Sequence, residues 1–137
     1  MRKSRYAALA GTLTAGLLAL GTAHADFAVF SADLSGPGNG DGTGSVTLDS
    51  DARTVCYELK VALDPPATAA HIHRGYVGTN GPIVVPLDAP SSGSSSGCRE
   101  GVEAALIVEM VGNPSGFYVN VHNAAFSNGA IRGQFRP

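Results

Sequence analysis

Apolar and polar positions alternate with a period of two over several short stretches of this chain. The clearest is Arg53 to Leu63, where Val55, Tyr57, Leu59, Val61 and Leu63 share one face and Thr54, Cys56, Glu58, Lys60 and Ala62 the other. Six further stretches are short, rich in β-branched or aromatic residues, and bounded by Gly, Pro, Asn or Asp: Phe27 to Leu34, Ser45 to Asp49, Ala70 to His73, Ile83 to Leu87, Phe117 to His122 and Ile131 to Phe135. Seven strands at this spacing predict an all-β domain, a sandwich or open barrel. Val102 to Met110 departs from the pattern. Val102, Ala105, Leu106 and Met110 recur at helical spacing, which predicts one short helix stopped by Gly112, Asn113 and Pro114. The Gly-rich segment Ser35 to Gly44 and the Ser-rich segment Asp88 to Gly97 read as mobile loops.

Composition changes meaning once the N-terminus is set aside. Arg2, Lys3 and Arg5 precede an apolar run from Ala7 to Leu20, and Ala23-His24-Ala25 has the small-x-small form of a cleavage site, so residues 1–25 read as a secretory signal peptide and 26–137 as the domain. The whole chain carries 9 basic and 11 acidic side chains; removing three of the former leaves 6 against 11, a charge of −5 with histidine neutral. Such an acidic product is a poor partner for nucleic acid. No remaining apolar run reaches the roughly 20 residues of a membrane span. The expected location is the periplasm or the extracellular medium. In an exported chain the two cysteines, Cys56 and Cys98, are expected to form a disulfide. Alternation puts Cys56 on the outer face, so the bridge is expected to strap the loop around Ser91 to Gly97 across the outside of the sheet.

The candidate chemistry is three histidines. His71 and His73 flank Ile72, which places both imidazoles on one face; in Phe117 to His122 the apolar face is Phe117, Val119 and Val121, leaving Tyr118, Asn120 and His122 on the polar one. All three histidines are thereby expected to avoid the core. A His-x-His pair plus one further imidazole can supply three nitrogens to a mononuclear copper or zinc ion, with Asp64 or Asp88 as additional candidates. The competing expectation is that the imidazoles hydrogen-bond loop backbone beside the turns at 74–81 and 123–129, with Asn120 and Arg132 tying strands together on the polar face. Arg74 and Arg132 flank the histidine blocks and are read either as carboxylate or sulfate ligands or as surface salt links. Asn39-Gly40-Asp41-Gly42-Thr43 has too few carboxylates for a calcium loop and reads as a hairpin turn. No Gly-x-Ser-x-Gly elbow, phosphate loop, dinucleotide fingerprint or Cys-x-x-Cys is present.

The blocks AHIHRGYVGTNGPIVVPL (70–87) and FYVNVHNAAFSNGAIRGQF (117–135) resemble the two signature blocks of the CHRD domain family, and Ala32 to Gly36 and Gly44 to Leu48 resemble its opening strands. In having one such domain behind an export signal the chain resembles the secreted bacterial members of that family. The resemblance implies an immunoglobulin-like β-sandwich or barrel, and the function expected of the chain is that of a non-catalytic binding module for an extracellular or envelope protein or a small ligand. The histidine arrangement also resembles the copper half of copper–zinc superoxide dismutase. That two-metal site needs six different histidines, so three allow a mononuclear site at most.

Overall fold

The computed structural model describes residues 26–137, together with the isolated Gly16. The signal peptide expected over 1–25 therefore lies outside the described residues. In chain order the elements are β1 (Phe27–Ser35), β2 (Asp41–Asp49), β3 (Thr54–Ala62), β4 (Ala67–Arg74), β5 (Ile83–Leu87), β6 (Ser94–Arg99), α1 (Ala104–Gly112), a single 3-10 turn (Pro114–Gly116), β7 (Phe117–Asn123) and β8 (Ile131–Gln134). Among the described residues no helix is long and apolar enough to cross a membrane.

All eight strands form one antiparallel sheet in the order β5-β4-β7-β8-β1-β2-β3-β6, curled into a nearly closed barrel. The alternation read from the sequence is what curls it inward. Phe30, Ala32 and Leu34 of β1, Val46 and Leu48 of β2, and Val55, Tyr57 and Leu59 of β3 are buried, while their chain neighbours face outward. Phe135 joins the two halves of the core, its ring stacked on Phe30 at 5.8 Å and on Phe117 at 6.3 Å. The predicted helix is present, displaced two residues toward the C-terminus, and lays fully buried Ile107 and Met110 onto the same core.

Both segments expected as loops are in part strands. The first hairpin turns within Gly36 to Gly40, because β2 begins at Asp41 and pairs Asp41, Gly42, Thr43 and Gly44 with both neighbouring strands. Gly44 is the inward position there, and its missing side chain removes the apolar mark that a strand pattern needs. The second correction is larger. Ser94–Arg99 is an edge strand paired with β3, not a strap lying across the sheet. Its residues are half-exposed or exposed throughout, so Ser and Gly serve where burial demands nothing apolar, and backbone pairing with β3 holds it in place. Cys56 and Cys98 stand directly opposite each other in that pairing, with Cα atoms 3.9 Å apart, and are disulfide-bonded.

Where β5 and β6 face each other the barrel closes through side chains. Arg99 donates to the Pro86 carbonyl (2.8 Å) and to Asp88 Oδ1 (2.7 Å). The Tyr57 hydroxyl donates to Asp88 Oδ2 and accepts from the Asp88 amide. Burial, more than any neighbour, pushes the Tyr57 hydroxyl above its ordinary pKa, and Arg99 followed by Tyr57 holds the Asp88 carboxyl below its own. Asp88 is thus a closure residue, and the candidate role for it beside the histidines is corrected here.

Candidate metal centre

Strand register assembles the site. In the β4–β7 pair His73 lies opposite Tyr118, His71 opposite Asn120 and Ala69 opposite His122, so His122 is the diagonal neighbour of His71 on the same face. Ile72, between the two histidines of β4, points the other way and is fully buried in the core. One potential ligand atom from each of His71, His73 and His122 lies within 4.8 Å of those of the other two. His71 Nδ1 and His122 Nε2 are 3.1 Å apart. The expected constellation is therefore formed. Among the described residues it includes no carboxylate, and Asp64 is not part of it.

The expectation that all three imidazoles avoid the core needs correction. His73 is only 7% exposed, Tyr118 1% and Asn120 4%. β7 runs between β4 and β8, and the segments 75–82 and 124–130 fold over its polar face, so that face is an interior of its own. Those segments are fastened by the site residues. His73 Nδ1 contacts the Gly81 carbonyl at 2.8 Å and His122 Nδ1 the Ser127 carbonyl at 2.9 Å. A carbonyl only accepts, so both Nδ1 atoms carry a proton, and in the neutral ring Nε2 is then the nitrogen with the lone pair. The Gly81 amide donates to the Tyr118 hydroxyl, and Tyr118 stacks on the His73 ring at 5.0 Å with 12° between planes. Nothing larger than glycine fits at 81, where a Cβ would stand 1.5 Å from the Arg74 carbonyl oxygen.

These bonds fulfil the expectation that the histidines anchor loop backbone, and they leave the opposite nitrogen of each ring aimed inward. His73 Nε2 is buried with no hydrogen-bond partner. Asn120 Oδ1, the other buried side-chain atom without one among the described residues, belongs to the same face. Orphaned polar atoms are rare in folded interiors, and two on adjacent strands of one sheet face mark a place built to meet something polar. A cleft of about 270 Å³ opens there, lined by His73, Tyr118, Asn120, His122, Ser127 and Asn128 among others. The CHRD domain family model matches residues 28–135, a span that takes in all three histidines and all of the strands but Phe27, the first residue of β1. The chain belongs to the CHRD domain family. No curated protein and no solved structure matches it.

In this CHRD domain the three imidazoles offer donor atoms of the kind that copper and zinc take. An ion bound tetrahedrally at the usual metal–imidazole distance sets its nitrogens about 3.3 Å apart, so the His71–His122 pair is already near that spacing. His73 offers a third nitrogen within 4.8 Å of the other two. The backbone carbonyls on the far nitrogens fix tautomer and ring orientation, as outer partners of metal-bound histidines do.

Burial lowers the pKa of His71 below the ordinary histidine value, reinforced by the charges of His122 and His73; burial also lowers that of His73, opposed by the Gly81 carbonyl and reinforced by His122 and Arg132. Both shifts favour neutral, ligating imidazole. They also set a pH dependence. The unfolded chain takes up protons near pH 6.5, where the fold still resists them, so stability is full above that value and falls as pH drops through it toward the lowered folded pKa values. Urea titrations of the metal-free protein should therefore show the midpoint dropping between pH 7 and 5, and replacing His71 and His73 together by glutamine should reduce that drop.

Proposed function

We propose that this CHRD domain is a non-catalytic binding module of the cell exterior or envelope whose ligand is one copper or zinc ion held by His71, His73 and His122. The observation that carries the reading is His73 Nε2, a deprotonated, buried and unpartnered nitrogen within reach of two further imidazole nitrogens. Imidazole suits both copper and zinc, and three protein ligands would leave a coordination position for a further ligand. Export is supported by the targeting pattern of residues 1–25 and by a disulfide suited to an oxidising compartment. Titrating Cu(II) and, separately, Zn(II) into the purified disulfide-intact protein should show one tight equivalent per chain, weakening as pH falls because protons compete for the same nitrogens. Binding of neither ion at one equivalent overturns the reading.

A further inference from the structure

Six basic side chains lie within residues 26–137, and five of them are ion-paired: Arg53 with Glu103, Lys60 with Glu58, Arg74 with Glu109, Arg99 with Asp88, and Arg136 with Asp33. Arg132 is the exception among the described residues. In a domain with 11 acidic side chains, its guanidinium instead donates to the Thr79 carbonyl (2.9 Å), the Tyr76 carbonyl (3.4 Å) and Gln134 Oε1 (3.0 Å). These acceptors carry no charge to neutralise it, and with five N–H donors the group has others to spare.

Its position is tied to the histidines by two routes. Tyr118, on the strand between β4 and β8, takes the Arg132 guanidinium against its ring at 3.4 Å and the His73 imidazole at 5.0 Å. Arg132 also lines a hollow of about 240 Å³ that shares Asn80, Asn120 and Asn128 with the cleft at His73 and His122. Those three carboxamides are neutral and put no negative charge between the cation and the imidazoles. A divalent ion on three neutral imidazoles keeps its full charge, and no carboxylate joins that cluster. A bound metal and the guanidinium would together make these two adjoining hollows electropositive in an acidic molecule.

We infer that the loaded site binds a small monovalent anion at the open coordination position of the metal, drawn there by the unpaired guanidinium of Arg132. This rests on the metal reading above and adds the class of the second ligand. Arg74, the other arginine beside a histidine block, is neutralised by both oxygens of Glu109 and plays no such part. The charge of Arg132 also contributes to lowering the pKa of His73, in keeping with their closeness.

The test uses azide on the copper(II)-loaded protein, followed by the azide-to-copper charge-transfer absorption. In wild type azide should bind one per copper, with an affinity that falls as salt rises. Arg132→Gln should weaken azide on the order of tenfold and flatten the salt dependence while copper still binds at one equivalent. Arg132→Lys, which keeps the charge but loses the planar contact with Tyr118, should recover most of the affinity and so separates charge from any loosening of the 75–82 segment. Equal azide affinity in wild type and Arg132→Gln, both loaded with one copper, overturns the anion site alone. Failure of wild type to bind copper overturns the metal reading and the anion site with it.

Discussion

Replacing His73 by alanine should lower copper or zinc affinity by at least about 100-fold, more than the loss of an outer hydrogen-bond partner ordinarily costs. The variant removes the one ligand nitrogen that is both buried and unpartnered, leaving His71 and His122 as a two-nitrogen remnant whose members then satisfy each other at 3.1 Å. Thermal melting gives a readout independent of affinity. A ligand present at 100 times its Kd stabilises the native state by about 2.7 kcal/mol, so metal should raise the wild-type melting temperature by roughly 10 °C and leave His73→Ala almost unmoved. The metal-free melting temperature separates the site from the scaffold, because truncation also frees the Gly81 carbonyl and unstacks Tyr118. A variant that takes up one equivalent with wild-type affinity, and shows the same metal-induced shift, would remove His73 from the site.

The second large effect belongs to the disulfide. A double Cys56→Ala, Cys98→Ala variant releases a loop spanning 42 residues, which in the chain-entropy account costs about 4 kcal/mol. For a domain of this size the melting temperature should fall by about 15 °C. The structure adds where the damage begins. β6 buries little, since its residues are half-exposed or exposed, and beyond the bridge it is held by backbone pairing to β3 and by Arg99 at the seam with Pro86 and Asp88. Hydrogen exchange should accordingly quicken first over Ser94–Arg99, and the buried Tyr57 hydroxyl should lose its Asp88 partner as the seam opens. A melting temperature within two degrees of wild type, with protection of β6 unchanged, would contradict this account.

Much of the barrel is legible in the residues because its core-facing strands obey one simple rule. Val55, Tyr57 and Leu59, and likewise Phe117, Val119 and Val121, alternate with polar neighbours since each faces the core from a pleated strand, and all six are buried. The helix is legible at its own period, but its face only in part: of Val102, Ala105, Leu106 and Met110 only Met110 is buried, and the other buried position is Ile107, one turn before it. β6 and the start of β2 are not legible, because an edge strand of Ser and Gly and an inward Gly44 carry no apolar mark. Their strand character comes from the backbone of β3 beside them.

The site divides along the same line. That His71 and His73 share a face follows from their spacing, and that His122 lies on the polar side of its strand follows from Val119 and Val121 being apolar. Sequence alone therefore determined the strand character of both histidine blocks, the face each imidazole occupies and, in an exported chain, the pairing of the two cysteines. Tertiary structure alone decided that β4 and β7 are neighbours in the register that brings the imidazoles together, that the segments 75–82 and 124–130 bury the polar face, and that Arg74 finds a carboxylate while Arg132 does not. The physical reason is that alternation is a local property of a pleated strand. Register and the partner of a charge depend on groups about 35 to 60 residues away along the chain, and nothing in either segment by itself encodes them.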